Sequence, residues 1–249
     1  MDMAATASKM RMRGMANLSA PARARITGVV YLLFFVTAIA GAIVMPLAGG
    51  PGGPSGDAAS IANSIVSHQS AYEAGVALGL FSTAFYVALS GLFYWLFRPV
   101  SRTLSLLAAL FSVVGCAVGA SGNLFLLAPL EILRGSSYAR VFTADQLQSL
   151  VLLFINLNTQ ANHVALVFFG SFQLVLGYLI FKSTFLPRAI GVLIAIAGVG
   201  WLTFMVPPIS SALLVYLEIL GIVAEGLLML WLLVLGVNGR RWAQLAGQP

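Results

Sequence analysis

An all-α, polytopic membrane protein with six transmembrane helices is the fold class this sequence predicts, on three observations. Hydrophobic residues fill 60% of the 249 positions and charged residues only 8%, whereas soluble domains run nearer a quarter charged and need that polarity to cover their surface. The apolar residues gather into runs that match a hydrocarbon core of ~30 Å, which takes about 20 helical residues to cross. The basic residues fall in small groups between those runs. A formal net charge of +6 therefore speaks for orientation in a bilayer and against nucleic acid as a partner.

The same ruler places the spans at 26–47, 74–97, 103–130, 145–181, 187–206 and 211–236. The first follows a basic segment, "MRMRGMANLSAPARAR", but its apolar run is too long for a signal peptide and "MPLAGG" is a poor cleavage site, so it reads as a retained anchor. Residues 1–22 before it read as a disordered basic segment that can rest on anionic headgroups. After the glycine-rich "AGGPGGPSG", the stretch "DAASIANSIVSHQS" reads as a short helix opened by Asp57, with Ala58, Ile61, Ala62 and Ile65 on one face. "SAYE" (Ser70 to Glu73) and "TADQ" (Thr143 to Gln146) are capping-box patterns ahead of the second and fourth spans. Glu131 and Arg134 are spaced as an i,i+3 pair. Pro187 fits the first turn of the fifth span, and "VPPISS" (Val206 to Ser211) reads as a turn before the sixth. One domain thus covers 23–238, with a cytoplasmic tail at 239–249. Residues 145–181 would reach ~55 Å as one straight helix. Either the third and fourth spans project as a hairpin, or the fourth breaks near 156–163. No internal repeat of the kind found in many transporters is visible.

Alternating connections put Lys9, Arg11, Arg13, Arg23, Arg25, Arg98, Arg102, Lys182, Arg188, Arg240 and Arg241 on one side and only Arg134 and Arg140 on the other. By the positive-inside rule both termini are then cytoplasmic. The expected location is a bacterial cytoplasmic membrane, crossed several times.

The stretch "NLNTQANH" (Asn156 to His163) interrupts the fourth span with amides and an imidazole. Counting at 1.5 Å per residue from the basic anchors puts Asn123, Asn158, Asn162, His163 and Glu218 near the outer edge of the hydrocarbon, with Glu225 and Gln173 deeper. Glu218 and Glu225 are two turns apart and share a face. The pattern suggests a polar pocket opening outward, lined by these seven residues; the plain alternative for the amides is a solvated turn above the membrane. A carboxylate as deep as Glu225 costs roughly 2.5 to 3.5 kcal/mol to insert and normally faces the protein interior with a partner. It is a proton carrier, a cation ligand, or a hydrogen bond that joins helices.

Other chemistries find little support. Cys116 is the sole cysteine, so neither an intrachain disulfide nor a cysteine metal cluster can form. His68 and His163 lack ligand spacing for a metal or haem, no hydrolase or metalloprotease motif occurs, and no catalytic residue or cofactor is expected. Ala108, Ser112, Gly115, Gly119 and Gly122 form a small-residue seam on the third span, and Gly75 and Gly79 a shorter one on the second. Both read as packing seams, with homo-oligomerisation as a second use. Trp95, Trp201 and Trp231 read as interface or packing aromatics rather than a binding cage.

The strings "RITGVVYLLFF" (from Arg25), "FRPVSRTLSLLAALFSVVG" (from Phe97), "DQLQSLVLLF" (from Asp145), "LVFFGSFQLVLGYLIFKSTFLPRAIGVL" (from Leu166) and "EGLLMLWLLVLGVN" (from Glu225) together resemble a bacterial membrane family catalogued as domain of unknown function 4386. The likeness covers nearly all of the chain after about residue 23. It implies a polytopic membrane protein, an acidic residue at the position of Glu225, and a histidine where this chain has Asn158; it implies no activity or substrate. Two function classes remain: a membrane protein that binds or transports a small molecule or ion, and a non-enzymatic scaffold or accessory subunit with a membrane partner.

Overall fold

Each predicted span forms a helix, and local caps account for most of the boundaries. The computed structural model describes residues 19–53, 56–135 and 141–247. Its helices are α1 (Ala20–Leu47), α2 (Ala58–Ser67), α3 (Gln69–Phe97), α4 (Arg102–Leu133), α5 (Ala144–Lys182), α6 (Arg188–Leu202, continued by the 3-10 turn Thr203–Met205), α7 (Pro207–Leu230, continued by the π turn Trp231–Leu235) and α8 (Gly239–Leu245). All but α2 and α8 are long and apolar enough to cross a membrane. Among the described residues no strand occurs.

At Thr143 the predicted capping box is complete: its hydroxyl accepts from the Gln146 amide at 3.3 Å while the Gln146 side chain accepts from the Thr143 amide at 2.9 Å. Asp57 opens α2 by accepting from the Ser60 amide at 2.8 Å, and Ala62 and Ile65 are the buried residues of that helix. Three boundaries differ from expectation. Helix α1 begins at Ala20, because Ser19 caps it and Pro21 fits its first turn; residues 20–22 are thus helical, while the disorder expected for residues 1–18 lies outside the described residues. "SAYE" is not a cap. Only His68 separates α2 from α3, so the chain has re-entered a helix before Ser70, and Glu73 instead accepts from Gln69 at 2.9 Å and pairs with Arg134 at 2.6 Å. In "VPPISS" the turn ends at Val206 and both prolines lie in the first turn of α7, where a missing N–H breaks no helical bond.

Helix α5 runs unbroken for 39 residues, about 58 Å. The polar stretch does not break it, so α4 and α5 project beyond the other spans as a hairpin, with α2 packed against both. The Glu131–Arg134 pair forms near the tip of α4, at 3.4 Å.

The six spans close into a ring in chain order, with α7 returning to α1. Small residues set its tightest contacts. A Cβ on Gly177 would lie 2.6 Å from the Gly191 carbonyl oxygen, and one on Gly198 would lie 2.9 Å from that of Gly170, so α5 and α6 touch backbone to backbone at two levels. The seam on α4 works the same way: Gly115, Gly119 and Gly122 face Phe169, Ala165 and Ala161 of α5, and Ser112 bonds Ser90 of α3 at 2.6 Å.

One end of the ring is closed. There Tyr31, Phe93, Phe97, Phe172, Leu176 and Ile180 form the middle of the larger buried cluster. The start of α1, helix α8 and the α3–α4 and α5–α6 connections meet at this end: Arg23 lies 5.9 Å from the Trp242 ring, the Arg241 guanidinium donates to the Thr184 carbonyl at 3.0 Å, the Trp242 indole donates to the Leu96 carbonyl at 2.9 Å, and Arg98 stacks 3.7 Å over Trp95. The stretch expected as a tail is in part a docked helix, because the buried Trp242 N–H needs an acceptor. At the opposite end Tyr72, Leu126, Leu130, Val151 and Ile65 form a second cluster beneath α2.

Candidate functional site

Between the two clusters the ring encloses a cavity of 670 Å³. It extends from Pro51, in the loop after α1, to Glu225 on α7. Its deep end is polar because two helices donate hydrogen bonds to one carboxylate. The Tyr31 hydroxyl of α1 donates to Glu225 Oε2 at 2.7 Å and the Gln173 amide of α5 donates to Oε1 at 2.5 Å. The Tyr86 side chain of α3 lines the same cavity. Tyr31 and Gln173 are each 1% exposed. Gln173 Oε1 is buried without a hydrogen-bond partner.

Nearer the wide end, Asn158 is 2% exposed and donates from Nδ2 to the Gly122 carbonyl at 3.0 Å. Asn162 donates back to Asn158 Oδ1 at 3.1 Å, and a Cβ on Gly79 would sit 3.4 Å from the Asn123 side-chain oxygen. The amide run therefore has two roles in one helix. Asn158 bonds α4 to α5, while Asn162 holds the amide oxygen of Asn158 and also faces the cavity.

Of the seven residues singled out by depth, Asn123, Asn158, Asn162, Glu218 and Glu225 line this one cavity, and Gln173 lies directly behind Glu225. His163 is elsewhere. Its ring packs on Phe204 at 4.8 Å and faces a separate 510 Å³ groove near the α6–α7 junction. His163 sits about 100° round the helix from Asn162, and its ring turns to Phe204 instead of the cavity. Among the described residues no three of His, Cys, Asp and Glu gather in a metal-binding group.

Sequence reasoning missed Tyr31 and Tyr86. Each places a hydroxyl well inside an apolar run, where it needs a partner, and the depth count used for the amides would have put Tyr31 several residues beyond Arg25. It also read Trp201 as an interface or packing aromatic. The indole does cover Gly221 of α7, yet it also lines the cavity, together with Phe34, Phe35 and Phe169.

A family described as Domain of unknown function (DUF4386) matches residues 26–236. An uncharacterised protein of Archaeoglobus fulgidus is 26% identical over 160 residues, which cover 63% of this chain and 78% of the relative. No solved structure matches.

Proposed function

This chain belongs to the DUF4386 family, and we propose that it is a multi-pass membrane protein that binds a small molecule or ion in the cavity above Glu225. The observation that carries this reading is convergence: polar groups separated by more than 100 positions in sequence line one cavity, and its closed end holds a carboxylate that has no ion-pair partner among the described residues. A site of 670 Å³ with mostly apolar walls and a few convergent polar groups is the usual form of a small-molecule pocket. A purely structural glutamate needs hydrogen bonds but no empty volume beside it.

The closed end carries Arg23, Arg25, Arg98, Arg102, Lys182, Arg188, Arg240 and Arg241, against Arg134 at the other. On our reading the closed end faces the cytoplasm of a bacterial cell, and the cavity opens outward. The scaffold alternative drew on the small-residue seams of α3 and α4 and on the lack of a repeat or catalytic motif; of these, the α4 seam is occupied by α5 of the same chain.

A thermal-stability screen of purified protein against small metabolites and ions tests the reading, since a ligand stabilises the state it binds. Ala38 lines the cavity on α1, and Ala38→Phe fills it without touching Glu225. At least one compound should raise the midpoint of wild type and not of Ala38→Phe. Equal responses of both proteins to every compound would overturn the proposal.

A further inference from the structure

The walls around Glu225 narrow the class of ligand, a step that rests on the cavity being a binding site. Phe34 and Phe169 approach Tyr86 edge-on, with centroids at 4.7 and 4.9 Å. These three rings and Trp201 all line the cavity that ends at Glu225. A ring face carries negative potential, so several rings beside one carboxylate favour a positive charge spread over C–H groups. No Lys, Arg or His forms an ion pair with Glu225 among the described residues; the groups that donate to it, Tyr31 and Gln173, are neutral.

Other ligand classes fit less well. An inorganic cation wants six or more oxygen ligands or retained waters, whereas Tyr31 and Gln173 turn donor hydrogens toward Glu225 and the remaining walls are mostly apolar. An anion would meet Glu218 at the rim and Glu225 at the end. A neutral molecule would leave the carboxylate without a counter-charge.

The geometry points to a lipophilic organic cation, a quaternary or protonated amine on a small apolar or aromatic body, with its charged head at Glu225. The body lies along Phe34 and Phe169, and Glu218 and Asn162 draw the cation to the rim. Ile39 of α1 and Ile222 of α7 both line the cavity and are 50% and 58% exposed. They flank a side opening through which an amphiphile can pass from the bilayer.

The test uses the full-length protein in nanodiscs and three probes of similar shape: benzyltrimethylammonium, its neutral isostere neopentylbenzene, and 3-phenylpropanoate. Binding is measured by calorimetry and by quenching of Trp201, with Trp201→Phe identifying the signal. The cation should bind at least tenfold more tightly than the isostere and the anion least. In Glu225→Gln the cation should fall to the affinity of the isostere, while the isostere itself is unchanged. Because the ranking in wild type needs no variant, it stands as a test even if Glu225→Gln fails to fold. Equal binding of cation and isostere, or a preference that survives Glu225→Gln, overturns the organic-cation assignment and leaves the cavity as a binding site. If none of the three probes binds, the assignment fails, while binding of an unrelated compound in the stability screen would still uphold the wider reading.

Discussion

Gly177→Ala adds one methyl group where α5 and α6 meet backbone to backbone. The new Cβ would lie 2.6 Å from the Gly191 oxygen and 2.8 Å from the Ala195 nitrogen, both main-chain atoms that cannot rotate away. That is roughly 0.8 Å short of the 3.4 Å at which ordinary contact begins, so the two helices must part by a distance of that order. Overpacking of this kind costs about 1–3 kcal/mol. Replacing glycine by alanine inside a helix returns ~1 kcal/mol of backbone entropy, which leaves a net loss of up to about 2 kcal/mol. Gly91 is a control in the same protein: it is also helical, and a Cβ there meets nothing within 4 Å, so Gly91→Ala should be neutral or stabilising by up to ~1 kcal/mol. Unfolding of both variants by denaturing detergent in mixed micelles measures the difference. A Gly177→Ala protein as stable as Gly91→Ala would refute the close approach of α5 and α6. The consequence reaches the cavity, because Gln173 lies between Gly170 and Gly177 on α5 and moves with it.

Tyr31→Phe removes a hydrogen bond to Glu225 and leaves a buried carboxyl oxygen short of a donor, which should cost about 1–3 kcal/mol in the same unfolding assay. Asn158→Ala deletes the bond to the Gly122 carbonyl; bonds between membrane helices average ~0.6 kcal/mol and reach ~1.7, and a loss above that range would mean that Asn158 does more than join α4 to α5. Arg134→Gln breaks exposed ion pairs to Glu73 and Glu131 and should change stability by less than ~1 kcal/mol, read from thermal midpoints at low and high salt. The Asp57 carboxyl is held below its ordinary range, first by the Ser60 backbone amide and then by the Ser60 side chain. A depressed folded-state value stabilises the start of α2 above the ordinary carboxylate range and is lost as pH falls through it toward that lower value. The protection of the Ser60 and Ile61 amides, after division by the intrinsic exchange rate at each pH, should therefore fall on acidification in wild type and be low and flat with pH in Asp57→Ala.

The spans were legible because a bilayer imposes a length, and the Thr143 box because a cap is a property of four consecutive residues. "SAYE" carries the same local pattern and does not cap, since the single-residue link at His68 is set by how α2 lies across α4 and α5. Counting from basic anchors put Asn123, Asn158, Asn162, His163 and Glu218 at one level, and all of these but His163 line one cavity. Azimuth was not legible. Nothing in a count along one helix says that His163 faces Phe204 while its neighbour Asn162 faces the cavity. The glycine contacts of α5 and α6 carried an overlooked signal. Gly170 and Gly198, like Gly177 and Gly191, are equidistant from position 184, which is what an antiparallel hairpin turning there requires. Tyr31 and Tyr86 went unnoticed because tyrosine is expected at membrane interfaces, and only the approach of α1, α3 and α7 brings Tyr31 to Glu225 and Tyr86 to the same cavity.

The central claim is that a cavity reaches Glu225 from the end opposite the arginines. Its most direct test is labelling of Ala38→Cys, in a Cys116→Ala background, by a small membrane-impermeant thiol reagent in vesicles of each orientation. The expected result is reaction only where the non-basic end faces the reagent. Reaction from the basic end, or reaction only after unfolding, would contradict it.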